Sequence, residues 1–561
     1  MTAQKVLLLA FLCLPHLSYT QTVEWVRQIG GSGTDAANSI VVDATGNIYT
    51  TGSFADTADF DPGPGVLNFI SAGLSDACIQ KLDSEGNLIW ARQMGGIGSE
   101  GCRSIAVDAA GNVYTTGSFQ ETVDFDPGPG TLNFTAIGSS DIYIQKLDSE
   151  GNLVWARQMG GANQDSGAGI AVDAAGNVYT TGTFVGFVDF DPGVDVLQLT
   201  PAALDDIYVQ KLDASGALVW AKSMGGNNSD IAFTIALDAS GNLYVAGRFE
   251  GTADFDPGPG VYNLTSAGQE DIFVLKLNDT GDLLWAKQMG GAEDDIAYAV
   301  KVDSLEHVYL TGEFRGTADF DPGPEILNFT ANGSSDIYIQ KLDKSGALVW
   351  ARQIGGTGVD WSTALALDPS GNVYTTGTFM STVDFDPGPD TLDAAATGSL
   401  DIFILKLNTL GEFEWVNTFG SSLIDRGLAI TVDDEHVLTS GYFSKMVEFD
   451  PGNPLSTLTS SGNVDIFILK MSQEISGTLD NTFAKGISVY PNPTTGAGTV
   501  DLNAPYAKVT LTILDITGKV IAEQLFQHSQ YLDFSLQAPT GVYLLNIRTE
   551  NAQTNFKLIK N

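Results

Sequence analysis

The chain has 561 residues, 43% apolar and 17% charged, a balance that supports folded domains rather than disorder. Its 27 Lys and Arg against 68 Asp and Glu leave a net charge of −41, which repels phosphate backbones and anionic lipid surfaces and argues against a nucleic-acid partner. Three cysteines are too few for a disulfide framework.

In chain order, Lys5, the apolar run Val6 to Leu14 and the small and polar residues through Thr20 read as a secretory signal peptide over residues 1–20. Cys13 lies inside that run behind Leu12 rather than a small residue, which speaks against a lipoprotein anchor. No later apolar stretch approaches the ~20 residues of a membrane span, so no transmembrane segment is expected. Cys78 and Cys102, which remain after cleavage, fit either one bridge or two unrelated buried thiols.

From residue 21 to 475 a fixed period dominates. Trp25, Trp90, Trp155, Trp220, Trp285, Trp350 and Trp415 mark seven units of about 65 residues. Each unit holds four short runs rich in Val, Ile, Tyr, Phe and Thr, read in the first as "SIVVD", "IYTTGSF", "DACIQKL" and "LIWARQM". A lone 65-residue sheet buries too little surface, so the expected fold is all-β, a seven-bladed β-propeller of four-stranded blades. The chain begins on an outermost strand and its seventh unit lacks one; the Trp25 strand is therefore expected to complete the last blade and lock the ring. The spacing shortens once to 64 because "DDEHVLTSG" has lost a hairpin residue.

Two rims follow from this strand order. One carries tight hairpins such as "DATGN" and "DSEGN"; the other carries long loops and the crossovers between blades, where sites are usually built. The long loops repeat "DFDPG", with paired carboxylates at Asp59 and Asp61, Asp124 and Asp126, Asp189 and Asp191, Asp254 and Asp256, Asp319 and Asp321, and Asp384 and Asp386; the last copy, "EFDPG", keeps Asp450. Pro62-Gly63 is expected at the centre of a type II turn, with Phe60 anchoring the loop and the carboxylates either capping turn N–H groups or, joined by crossover acids such as Asp35, holding Ca²⁺. Lysines and arginines repeat on the two outer strands, where they are expected to cover apolar surface and discourage edge pairing.

The unit "SIAVDAAGNVYTTGSF" followed by "DIYIQKLDSEGNLVWARQMGG" resembles the SBBP beta-propeller repeat, a resemblance that implies the propeller fold and an exported protein and carries no catalytic residues. After a polar linker over 476–484, residues 485–561 contain "SVYPNPTTG", Gly518-Lys519 and "PTGVYLLNI", strand-rich and punctuated by tight turns. They resemble the type IX secretion C-terminal sorting domain, an Ig-like β-sandwich, which implies the type IX machinery as partner and delivery through the periplasm to the outer cell surface or the medium.

No histidine pair has metal-ligand spacing, and no nucleophile or phosphate motif stands out. Arg248, Glu313, Lys301, Trp361 and Arg426 break the repeat, scattered over units four to seven. The expected function is non-catalytic binding or adhesion toward an extracellular protein or glycan; the alternatives are a structural scaffold and a carbohydrate-active hydrolase or lyase.

Overall fold

The computed structural model describes residues 21–451, 453–475, 487–514, 519–549 and 553–561; the expected signal peptide, the expected linker and Gly518 lie outside the described residues. The chain divides into two compact units, Gln21–Glu474 and one that holds the C-terminal residues.

In the first blade the strands Ala36–Val42, Ile48–Phe54, Asp76–Leu82 and Leu88–Gly96 pair antiparallel in sequence order, and the pattern recurs through seven blades. The innermost strands of successive blades touch around a closed circuit, from the strand Ala36–Val42 round to Arg426–Val432 and back. Gln21–Gly31 lies beside Asp465–Ile475 as the outermost strand of the seventh blade, so the ring is closed by the first described strand.

Each apolar cluster of the propeller joins two neighbouring blades. Tyr49, Ile79, Trp90 and Met94 of the first blade pack with Cys102, Ile105, Val113 and Phe125 of the second, and Ile29, Leu438, Ile466 and Ile468 of the seventh pack with Ile40, Ile48 and Phe54 of the first. The tryptophan row tightens these junctions: Trp25 Nε1 donates to the Ser84 carbonyl at 3.3 Å, and Trp90 Nε1 to that of Ser149 at 3.0 Å, both in the next blade. The Arg27 guanidinium lies 5.0 Å from the centre of the Trp25 ring while its Nε and Nη2 donate to the Gly86 and Glu85 carbonyls. The lysine row differs from its expected role of edge protection. Lys81 is buried on the third strand, 5.0 Å from the Tyr49 ring centre, and its Nζ donates to the Ser149 carbonyl, so these cations seal blade junctions.

The C-terminal unit is a five-stranded antiparallel sheet in which the long strands Ala497–Leu514 and Val520–Ser535 pair along most of their length. Their pairing is interrupted between Asp501 and Tyr506, with Asn503 and His528 at positive φ, and one core draws on both halves: Val500, Leu532 and Phe534 with Val509, Leu511, Leu545 and Ile547. No helix among the described residues is long and apolar enough to cross a membrane.

Closure by Gln21–Gly31 has a measurable consequence. Deleting residues 21–30 uncovers the third strand of the seventh blade and removes the Trp25 and Arg27 clamps, so thermal unfolding shifts down and broadens; Trp25→Ala alone costs on the order of 2 kcal/mol. Calorimetry of the deletion and the point variant checks this, and an unchanged, equally sharp transition in the deletion refutes closure.

Candidate functional site

The "DFDPG" loops fold as small hairpins, Thr57–Asp59 against Asn68–Ile70 in the first blade, and the first hairpin strand also pairs with the outermost strand of the preceding blade through Gly30 and Gly31. Phe60 is buried against Phe54 and Phe69, as its anchoring role requires. Asp59 Oδ1 accepts the N–H groups of Asp61 and Leu67 at 3.0 and 2.8 Å, and Asp61 Oδ1 accepts that of Gly63 at 2.8 Å. The same bonds form at Asp124 and Asp126, Asp189 and Asp191, Asp254 and Asp256, Asp319 and Asp321, and Asp384 and Asp386. The expected type II turn is not formed: Gly63 has no positive φ, because the Asp61 side chain takes the Gly63 N–H and closes the turn itself. Gly65 is small for a different reason, since a Cβ there would lie 2.0 Å from Asp61 Oδ2. In the seventh blade Glu448 replaces the first aspartate and, among the described residues, the hairpin strands pair only with each other, while Asp450 accepts from the Asn453 amide at 3.2 Å.

Asp35 does not join these loop carboxylates. It is fully buried at the blade junction, accepting the Gly31 N–H at the end of one blade's outer strand and the Ala55 N–H after the second strand of the next. A Cβ on Gly30 would lie 2.6 Å from the Asp465 Cγ and 2.9 Å from the Asp35 Oδ2, so the two carboxyls meet across this glycine. The arrangement recurs at every junction, joining Glu100 to Asp76, Asp165 to Asp141, Asp230 to Asp206, Asp295 to Asp271, Asp360 to Asp336 and Asp425 to Asp401. Burial, opposed by the backbone N–H groups and reinforced by the neighbouring carboxylate, pushes Asp35 and Asp230 up to about 7, Asp165 and Asp360 to about 6 and Asp295 to about 8. One oxygen each of Asp141, Asp206, Asp271 and Asp465 is buried without a hydrogen-bond partner. Among the described residues no three of His, Cys, Asp and Glu gather closely enough to hold a metal ion. Cys78 and Cys102 are both buried free thiols.

The innermost strands carry the irregularity that the sequence pattern did not reveal. Each has a β-bulge, and the bulged residues are Asn38, Arg103, Ala168, Phe233, Tyr298, Thr363 and Leu428, seven different residues in seven blades. A bulge re-aims its side chain, and all seven line a central cavity of about 410 Å³. Four of the departures that look scattered along the chain, Arg248, Glu313, Trp361 and Arg426, lie at the long-loop end of the inner strands, whereas Lys301 lies near their hairpin end. Tyr298 stacks on Phe233 at 5.5 Å and donates to Glu313 Oε1 at 3.1 Å. Arg315 Nη2 stands 4.0 Å from the same Glu313 oxygen and its Nη1 3.1 Å from Asp294, while Arg248 pairs with Glu270 and is close enough to act on the Tyr298 hydroxyl. Arg426 lies 5.0 Å from the Trp361 ring centre and holds down the Tyr442 hydroxyl's pKa against the larger effect of burial. Aligning the units by secondary-structure position and asking which inner position never repeats finds this ring of residues; searching for known motifs misses it.

Comparison with known proteins follows the same division. The SBBP beta-propeller repeat family matches residues 24–53, 89–118, 154–183 and 349–378, each span running from an outermost strand to the second strand of the next blade, and the secretion system C-terminal sorting domain family matches residues 488–561. An uncharacterized WD repeat-containing protein of Acanthamoeba polyphaga mimivirus is 23% identical over 476 residues, 70% of this chain and 33% of the relative. Regulatory protein FlaEY of Caulobacter vibrioides is 29% identical over 253 residues, 44% of this chain and 25% of the relative. The chain spans about a third of the length of the first of these curated relatives.

Two predictions follow from the acids. Asp124→Ala strands two N–H groups and costs about 1–2 kcal/mol, whereas Asp124→Asn keeps the accepting oxygen and costs far less. Melting both variants with calcium and with sodium at matched ionic strength separates capping from cation binding: a calcium-specific rise in the parent that Asp124→Asn abolishes assigns the row to the metal. The second concerns pH. A carboxyl whose folded pKa exceeds its unfolded value of about 4 contributes stability that is fully present below that value and lost as pH rises through the folded pKa, here about 6 to about 8. Asp43 acts oppositely: burial notwithstanding, hydrogen bonds from Thr45 and Asn47 hold it at about 2, so its contribution is lost only in stronger acid. The melting temperature is therefore higher at pH 5 than at pH 8, and Asp271→Asn, which puts an amide where the unpartnered oxygen stands, narrows that difference.

Proposed function

We propose that this chain, an exported beta-propeller repeat protein carrying a type IX secretion C-terminal sorting domain, is a non-catalytic binding propeller whose ligand sits at the mouth of the central channel on the long-loop face. The observation that carries the reading is the bulge position, where seven otherwise repetitive blades present seven different side chains. Positions with the same mechanical task keep the same residue in blade after blade, as the tryptophan row and the strand-three lysines do. A ligand on the ring axis touches every blade once and in a different place, so it calls for unlike residues.

The mouth has the composition of a recognition surface. Phe233, Tyr298 and Trp361 offer aromatic faces, and Glu313 and Arg315 hold one another and the Tyr298 hydroxyl in place. A scaffold or spacer has no use for this asymmetry. The sorting domain supplies the address: it engages the type IX machinery and delivers the propeller through the periplasm to the outer surface or the medium, where the partner is an extracellular protein or a glycan.

Glycan-array and pull-down experiments with the full chain test this, beside a variant in which Arg248→Ser, Glu313→Ser and Trp361→Ala restore residues found at the equivalent positions of other blades. The expected result is a hit at least tenfold weaker in the variant, which still unfolds in one cooperative transition. A hit of equal strength in both proteins places binding elsewhere and overturns the assignment to the mouth.

A further inference from the structure

The ring between residues 21 and 475 contains 20 lysines and arginines, of which 13 belong to the two repeated rows on the outer strands. Of the seven that do not repeat, Arg103, Arg248, Lys301 and Arg426 lie on the two inner strands of their blades. Arg103 and Lys301 line the central cavity itself, from the second and fifth blades, three steps apart on a seven-blade circuit and hence on opposite walls, Arg103 at the bulge level and Lys301 three residues further toward the hairpin end. Neither makes a hydrogen bond or ion pair with any described residue.

The cavity wall sharpens this. It is built from the innermost strands of all seven blades, and in a chain of net charge −41 the described residues that line it include no aspartate or glutamate. Lys301 is reached by water, yet the surrounding wall desolvates its ammonium and pulls its pKa below the ordinary lysine value. Four of the other units have alanine at that position, so the lysine is dispensable for the fold. Both side chains are exposed to water, and without a counter-charge in the wall the two cations repel each other across the cavity. An anion between them relieves that repulsion, and low-dielectric walls strengthen the attraction. Beside them the Phe233 and Tyr298 rings form an apolar face, and Ser39 and Ser104 add neutral hydrogen-bonding groups to the wall.

We propose that the channel holds a small carboxylated sugar, its carboxylate between Arg103 and Lys301 and its ring against Phe233 and Tyr298. The proposal rests on the mouth being a binding site and names the class of ligand that enters it. A cavity of about 410 Å³ accepts a mono- or disaccharide and excludes a folded domain.

Isothermal titration of the full chain with sodium glucuronate, glucose and sodium sulfate tests it, repeated with Arg103→Ala, Lys301→Ala and the double variant. The substitutions copy residues that other blades already carry, Ala168 and Ala106, and melting temperatures confirm folding. Glucuronate is expected to bind, glucose at least tenfold more weakly, and each single substitution to cost about tenfold in affinity. Absence of glucuronate binding, sulfate binding as tightly as glucuronate, or affinity unchanged in the double variant overturns the proposal. If an array hit that depends on Trp361 persists while glucuronate fails, binding at the mouth stands and only the acidic sugar in the channel is lost.

Discussion

A four-stranded blade has two apolar faces and cannot cover either by itself, and the rest of the ring answers that constraint. Every core cluster of the propeller is shared by two neighbours, so no blade has an interior until the next is in place. Stability of this kind is a sum of junctions, and an open array leaves an uncovered face at each end. Placing Gln21–Gly31 on the seventh blade removes both ends at once, because pairing between the two extremes of the propeller makes the last junction like the others. The Trp25–Arg27 pair, reaching to Ser84, Glu85 and Gly86, repeats at that seam the clamp seen between the first and second blades.

The junctions also explain why glycine pairs recur at the ends of the outer strands. A Cβ on Gly95 would stand 1.9 Å from Asp76 Oδ2, and one on Gly96 would stand 2.2 Å from the Thr122 carbonyl oxygen. The first glycine admits the buried carboxyl pair and the second admits the next blade's hairpin. Each crossover acid thereby bonds backbone N–H groups from two blades, fixing where one ends and the next begins. This fixation costs desolvation and like-charge repulsion, which protonation relieves. An acidic chain can carry such a staple at every junction because a carboxyl whose pKa burial has raised can take up a proton and stand beside its neighbour uncharged.

Much of this architecture was legible in the sequence because it is periodic. The tryptophan spacing marks the blades, short runs rich in Val, Ile, Tyr, Phe and Thr mark the strands, and a repeat series that opens on an outermost strand and closes without one points to closure. Turn chemistry was legible less completely: the Asp59 and Asp61 carboxylates were readable as caps, but Pro62-Gly63 suggested a backbone turn, and only the structure shows the Asp61 side chain standing in for one. The lysine row looked like edge protection because its strand's position in the sheet was known and the reach of the side chain to the neighbouring blade's turn was not. The mouth was hidden for a related reason. Arg248, Glu313 and Trp361 are tens of residues apart along the chain, and a period of about 65 residues spreads around a circle what the axis brings together.

A ring of equal blades has one place where all of them meet, and that place has the lowest symmetry in this protein. The outer strands keep Trp, Lys and Arg because each faces the same neighbour in the same register, whatever its number in the ring. The bulged residues face the axis, where every side chain shares one space with six others and no two can occupy it alike. Filling it with one repeated large side chain overpacks the bore, and filling it with one repeated small side chain leaves an open tube. The observed mixture of Asn, Arg, Ala, Phe, Tyr, Thr and Leu does neither, leaving a cavity with an aromatic wall and uncompensated positive charge. The bulge lets the two demands coexist: one residue leaves the ladder to line the channel while those on either side remain paired, so the axis can vary without disturbing the blades that surround it.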